Sequence, residues 1–194
     1  VTGVPELTPA AIAAGKLLLT HANGLGSTSG ATVVQAGSTL DISGQSLGAE
    51  PITLDGGSIV ATSADGSLSG PVTVSTNSVL TAASGKQLSI SGAITTSGNG
   101  LVFNGAGSFQ LNNIANAIST LASGSGLGGL SLRNNSALSI GTVSAGGTAY
   151  IGLSSTSNVL VRNTSPISLD APISSSGGEI DVVASRVVNN AGST

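Results

Sequence analysis

Few residues in this sequence have side chains that could act as a nucleophile or a general base. The one histidine, His21, lies in a stretch of small and polar residues, and there is no cysteine. Ser125 lies in a Gly-Ser-Gly run with no histidine near it in the sequence. A serine nucleophile needs a base held within hydrogen-bonding distance. We therefore predict no nucleophilic site and interpret His21 as an exposed corner residue.

Carboxylates are the other candidates for chemistry. They are Glu6, Asp41, Glu50, Asp55, Asp65, Asp170, Glu179 and Asp181. Asp41 and Asp55 could approach each other across neighbouring repeats, and Glu179 and Asp181 point to one face of a strand. Paired acids of this kind cleave glycosidic bonds. Because the cations are scattered and aromatic residues are only 2% of the chain, we interpret the acids as solvated turn residues. A carbohydrate-active β-helix, lyase-like or hydrolase-like, is the alternative.

Glycine-rich turns offer no cofactor site. The glycine pairs at 56–57 and 177–178 lack the aspartate of calcium-binding nonapeptide repeats. No run matches a phosphate-binding loop. The sequence therefore predicts no catalytic residue, no metal ligand and no cofactor.

The composition favours a fold with a thin aliphatic core and a neutral surface. Of 194 residues, 39% are hydrophobic and only 7% are charged. A disordered chain would combine low hydrophobicity with high charge. The net charge of -3 gives no basis for binding nucleic acid, and no apolar run is long enough to insert into a membrane. The lack of cysteine suits export through an oxidising compartment.

Short segments of alternating hydrophobicity recur along the chain about every 20 residues. The clearest echoes join 51–54 with 71–74, 37–40 with 57–60, and 69–72 with 91–94. Such a period indicates a solenoid, in which inward side chains stack from coil to coil. The predicted fold class is all-β, a parallel β-helix with coils of about 20 residues. A barrel or sandwich is less favoured, because the bulky aromatic residues that usually fill such cores are nearly absent.

The repeats also predict the core and the limits of the coils. The residues predicted to be buried in stacked columns are Leu40, Ile52, Leu54, Val72, Val74, Ile90, Ile94 and Leu101. Residues 9–15 begin with proline and end with glycine, which predicts one short helix. We assign residues 1–30 to an N-terminal cap or lead-in region. Residues 31–194 are assigned to β-helix coils in one continuous domain, a segment of a longer protein.

Several stretches resemble secreted bacterial adhesins. Residues 16–19, 24–26 and 31–42 resemble the β-strand repeat of autotransporter passengers, with a Leu-Gly turn followed by a Thr-Val strand. Residues 113–143 and 174–192 resemble coils of filamentous-haemagglutinin-type exoproteins. The resemblance implies a right-handed parallel β-helix, secreted to the bacterial cell surface and anchored to the outer membrane through regions outside this chain. It implies no catalytic residues.

These observations lead to a functional hypothesis. We expect a non-catalytic segment that acts as a rod-like stalk or adhesin in attachment or biofilm. Its partners would be surface glycans, exopolysaccharide or a host surface, together with neighbouring β-helix segments of the same chain. Arg133, Tyr150 and Arg162 are the candidate ligand contacts, since tyrosine can stack on a sugar face and arginine can bind its hydroxyls or acids. An ice-binding solenoid is a further alternative, suggested by Thr53 and Thr73 at equivalent positions.

Overall fold

The chain folds as a parallel β-solenoid. The computed structural model describes residues 10–124 and 126–191. Within these ranges the chain forms 25 strands and no helix, and thus no helix that could cross a membrane. Successive turns lie about 21 residues apart and pair in parallel. The predicted fold class and coil length are confirmed.

Three parallel sheets, here called A, B and C, run along the stack. Sheet A contains β1 (Ala11–Ile12), β3 (Thr32–Gln35), β6 (Ile52–Asp55), β9 (Val72–Thr76) and β12 (Ile94–Thr95). Sheet B contains β2 (Gly15–Leu18), β4 (Ser38–Asp41), β7 (Ser58–Ala61), β10 (Ser78–Ala82), β13 (Gly100–Asn104), β15 (Thr120–Ser123), β17 (Leu138–Ile140), β22 (Ile167–Leu169) and β25 (Val187–Asn189). Sheet C contains β5 (Ser46–Leu47), β8 (Gly66–Leu68), β11 (Gln87–Ile90), β14 (Ser108–Leu111), β16 (Gly129–Asn134), β21 (Val159–Asn163) and β24 (Ile180–Val183).

The path of the coil changes in the C-terminal half. No strand of the described chain joins sheet A after β12. A short sheet D, made of β20 (Leu153–Ser155) and β23 (Ile173–Ser175), appears instead between sheets B and C. In these coils the chain returns from sheet C to sheet B through a short corner. That corner carries the candidate site described below.

The core is a column of aliphatic side chains inside the stack. All eight residues predicted to face inward are at most 1% exposed, which confirms the prediction. The repeats also align as expected in sheet A, where Ile52 pairs with Val72 and Val72 with Ile94. Because side chains alternate across a strand, the residues between them face outward. The two phenylalanines, Phe103 and Phe109, pack together in the core with ring centroids 5.2 Å apart.

One predicted alignment is wrong by a single residue. The echo of 37–40 in 57–60 places Leu40 beside Val60, but Leu40 pairs with Ile59. Gln35 pairs with Asp55, and the next pair is Thr39 with Ser58. The second coil thus advances three residues between these pairs where the first advances four, so the register changes between sheets A and B. Ile59 therefore faces the core and is fully buried.

The short helix predicted at 9–15 is also wrong; residue 9 itself lies outside the described residues. Strands β1 and β2 occupy this segment, and they pair with β3 and β4. A helix of one or two turns has a costly nucleus, whereas a strand here gains a ready partner: Val33 N–H donates to the Ala10 carbonyl at 2.7 Å. Coil pairing thus extends into the segment assigned as a cap. The boundary at residue 30 stays a prediction.

A β-hairpin interrupts the coil that follows β17. Its strands are β18 (Thr142–Ala145) and β19 (Thr148–Ile151), paired antiparallel. Val143 and Ala145 form a second small core with Val102 and Ala122, on the outer face of sheet B. Gly100 makes room for this packing, because a Cβ at that position would overlap Val143. The hairpin therefore covers an apolar patch that would otherwise be exposed.

Candidate functional site

The structure brings together two of the three predicted contact residues. Arg133 on β16 and Arg162 on β21 are directly paired neighbours in sheet C, and both are exposed. Tyr150 lies on β19, half-buried against the small core beneath the hairpin. That core lies on sheet B, so Tyr150 belongs to a different face from the arginines.

A groove of about 300 Å³ surrounds the two arginines. We call it the arginine groove. Its lining residues are Ile114, Arg133, Asn134, Arg162, Asn163, Thr164 and Val183. Ile114 is 70% exposed and Val183 is 46% exposed, so the groove combines apolar walls with two cationic groups.

Buried asparagines hold the backbone under this groove. Asn116, Asn134 and Asn163 are all at most 6% exposed, and they lie at the corners between sheets C and B. Asn134 Nδ2 donates to Asn163 Oδ1 at 3.3 Å, and its Oδ1 accepts from Ile118 N–H at 2.8 Å. Asn116 Nδ2 donates to the Arg133 carbonyl at 2.9 Å. Corner backbone that lacks a sheet partner is thereby hydrogen-bonded, as buried polar groups must be.

The charges in the arginine groove are only partly balanced. Arg162 Nη2 lies 3.3 Å from Asp181 Oδ2, and both side chains are partly exposed. The Arg133 side chain forms no ion pair or hydrogen bond with the described residues. Like charges directly opposite each other on neighbouring strands are destabilising. The pairing therefore leaves a local excess of positive charge that a bound anion would relieve.

The predicted approach of Asp41 and Asp55 is not found. Asp41 ends β4 in sheet B, while Asp55 ends β6 in sheet A and accepts hydrogen bonds from Thr76 and Ser75. The interpretation of the acids as solvated turn residues is wrong for Asp41 and Glu50, which are 1% and 5% exposed. Asp41 Oδ2 lies 2.5 Å from Lys16 Nζ. Burial opposes its ionisation, but hydrogen bonds from Lys16 and Ser43 outweigh this effect and lower the pKa of Asp41. A general acid needs a raised pKa, so this carboxylate is better suited to a structural role.

Asp170 is the second carboxylate whose pKa is shifted. Ser139 and Ser168 each donate to it at 2.6 Å, and Asn190 Nδ2 donates at 2.7 Å. These hydrogen bonds lower the pKa of Asp170 from 3.8 to about 2. Ser139 lies on β17, Ser168 lies on β22, and Asn190 directly follows β25. The cluster therefore links three neighbouring strands of sheet B.

The Asp170 cluster predicts a specific acid sensitivity. Because the folded-state pKa of Asp170 lies below its unfolded-state value, the cluster stabilises the fold above about pH 4, and this contribution is lost as the pH falls towards about 2. Urea unfolding midpoints from about pH 5 to about pH 2 should therefore fall less steeply for Asp170→Asn than for the wild type. Glu179→Gln, which removes an exposed acid whose side chain makes no hydrogen bond with the described residues, should keep the wild-type slope. Equal slopes for all three proteins would contradict the assignment.

Of the remaining candidates, Glu6 and Ser125 lie outside the described residues. His21 is exposed in a turn. Asp181 lies in β24 and is ion-paired with Arg162 of the neighbouring strand β21, and Glu179 precedes β24. Among residues 10–124 and 126–191 there is no group of three or more His, Cys, Asp or Glu residues that could hold a metal ion.

The threonine column is longer than the sequence suggested. Thr73 pairs with Thr53 on one side and with Thr95 on the other. Val33 precedes this column and Ala117 follows it. Thr73 and Thr95 are exposed and Thr53 is half-buried. The result is one short hydroxyl column, and not the broad threonine face that the ice-binding alternative requires.

The sequence contains a signal for the pairing of the two arginines, but this signal does not follow the period of about 20 residues. Arg133-Asn134 and Arg162-Asn163 each end an alternating strand with the same dipeptide. Their spacing is 29 residues, because the hairpin of β18 and β19 is inserted between them. A search for repeated dipeptides at strand ends, with loop insertions allowed, would have found it.

Comparisons with protein-family models, with curated proteins and with solved structures found no match to this chain. The fold by itself defines the class of protein, which is a parallel β-solenoid with a groove that contains paired arginines.

Proposed function

We propose that this chain is a non-catalytic, rod-like segment of a secreted bacterial surface protein, which acts as a stalk or as an adhesin in attachment or biofilm. The single observation that carries the proposal is the continuous nine-stranded parallel sheet B, which runs the length of the described chain. Nine strands at a spacing of about 4.8 Å span roughly 40 Å.

The character of the surface supports a passive role. The outward positions of sheet C begin with Ser46, Ser67 and Ser89, and continue with Gln110 and Ser131. Such neutral polar side chains suit weak, repeated contacts better than a tight protein hot spot, which favours Trp, Tyr and Arg. In a long array of such segments, affinity would come from multivalency.

Secretion and surface attachment rest on other observations. The resemblance to adhesin repeats, the lack of cysteine and the neutral composition support them. The proposed partners are glycans or a host surface, and further β-helix coils of the same kind. Such coils would pair with the outer edges of β2 and β25, each of which has a strand partner on only one side in the described chain.

Small-angle scattering and an activity screen test this proposal together. The purified chain should scatter as an elongated particle roughly 40 Å long, and it should release no product from a panel of acidic and neutral polysaccharides. A globular scattering profile would contradict the rod. Turnover of any polysaccharide would instead favour the carbohydrate-active alternative, and replacing Asp41 or Asp170 with asparagine would then show whether either acid takes part.

A further inference from the structure

We propose that the arginine groove binds the carboxylates of an acidic polysaccharide, such as a polyuronate. This inference rests on the proposed adhesive role and names its ligand class. Arg133 would bind one carboxylate and Arg162 would bind the same group or the next one along the polymer.

The charge arrangement is the first argument. Two guanidinium groups from adjacent strands face solvent side by side. Only Arg162 has a counter-ion among the described residues, through one nitrogen to Asp181. A guanidinium group has five N–H donors in a planar fork that matches a carboxylate. Arg133 therefore has its whole donor set free, and Arg162 has most of it.

The rigidity of the backbone is the second argument. The Arg133 carbonyl accepts a hydrogen bond from the buried Asn116 side chain. The residue after each arginine, Asn134 or Asn163, is buried and hydrogen-bonded in the corner. Each arginine thus extends from a fixed strand end, and less ordering is required when a ligand binds.

The apolar walls of the groove favour an acidic sugar over anions that have no apolar surface. Ile114 and Val183 are large, exposed aliphatic residues on either side of the arginines, and they offer a surface for the C–H faces of a sugar ring. Thr164 adds a hydroxyl to the groove. The groove contains no aromatic residue, whereas aromatic residues are enriched at protein hot spots.

The direction of the groove fits a polymer. Arg133, Arg162 and Val183 lie on the successive strands β16, β21 and β24, so the groove runs along the stacking axis across several coils. Asp181 lies at one side, where a ligand carboxylate would share Arg162 with it. We therefore expect Arg133 to contribute more to binding than Arg162.

The test uses the whole chain and defined oligosaccharides. Oligogalacturonate is titrated at low and at physiological salt, with binding followed by calorimetry and by NMR shifts of groove residues. We expect weak binding that salt weakens further. Arg133→Gln should lower the affinity about five- to tenfold, because a charge-assisted hydrogen bond is lost. Arg162→Gln should lower it less.

Arg186→Gln is the matched control, since Arg186 is an exposed arginine that lines a different groove. It should bind like the wild type, and the methyl-esterified oligosaccharide should bind no variant. Loss of affinity in Arg186→Gln equal to that in Arg133→Gln would overturn the proposal, as would absence of oligogalacturonate binding. Equal binding of polyglutamate and oligogalacturonate would also overturn the proposal, because the groove would then recognise only the negative charge of the ligand and not its sugar ring. None of these outcomes alters the scattering profile, so the rod proposal stands or falls separately.

Discussion

Leu54→Asp is expected to destabilise the solenoid by at least about 3 kcal/mol, because it places an unpaired charge among aliphatic side chains. Leu54 is fully buried and pairs with Val34 on one side and with Val74 on the other. A carboxylate there would have no cation and no donor within the column. Since domains are stable by only about 5–15 kcal/mol, we expect a large fall in the urea midpoint, or failure to fold.

Thr73→Asp is the matched control for this substitution. Thr73 lies on β9, beside Val74, but it faces solvent. The added charge stays hydrated there, so the change in stability should remain within about 0.5 kcal/mol. Equal unfolding midpoints for Leu54→Asp and Thr73→Asp would show that the inward and outward faces are assigned wrongly.

Asn134→Ala is expected to cost about 2–4 kcal/mol, because it leaves buried backbone groups without partners. The Asn134 side chain accepts from Ile118 N–H and donates to the Ser136 carbonyl at 2.9 Å. It also contacts Asn163 in the next coil. At this corner no neighbouring strand can replace those hydrogen bonds. The loss should therefore appear in equilibrium unfolding and as faster amide exchange at Ile118.

Asn135→Ala provides the comparison. Asn135 is the next residue, and it is exposed; its backbone N–H donates to the Asn116 carbonyl, which alanine preserves. We expect almost no loss of stability. If Asn134→Ala proves as mild as Asn135→Ala, the asparagines do not hold the corner, and the argument for a rigid arginine groove loses its support.

Much of the fold could be predicted from the sequence, because a solenoid repeats the same local environment. Each coil must bury a short aliphatic strand against its neighbours, so the pattern of Ile52, Leu54, Val72 and Val74 recurs at nearly constant spacing. Positions that stay aliphatic from one coil to the next can therefore be recognised in the sequence as buried positions. The failures lie where one coil differs from the next, as at the shortened corner before Ile59.

The candidate site was less accessible to prediction. The sequence marked Arg133, Tyr150 and Arg162 because their side chains are rare in this chain and could bind a sugar, but it could not show which of them lie together. The hairpin separates the two arginines in sequence and yet leaves them neighbours in space, while it carries Tyr150 to the outer face of sheet B. A constant period places residues correctly only where insertions between strands are short, and the hairpin of β18 and β19 is a long insertion.

By itself, the sequence determined the all-β class, the coil length, the aliphatic core and the neutral surface. These properties follow from composition and from side-chain alternation, which act locally along each strand. Only the tertiary structure decided which coils are neighbours after residue 112, where sheet A gives way to sheet D, and which outward side chains meet. Those outcomes depend on corner lengths and on hydrogen bonds between coils, such as that from Asn134 to Asn163. Such long-range contacts form only once the coils have stacked.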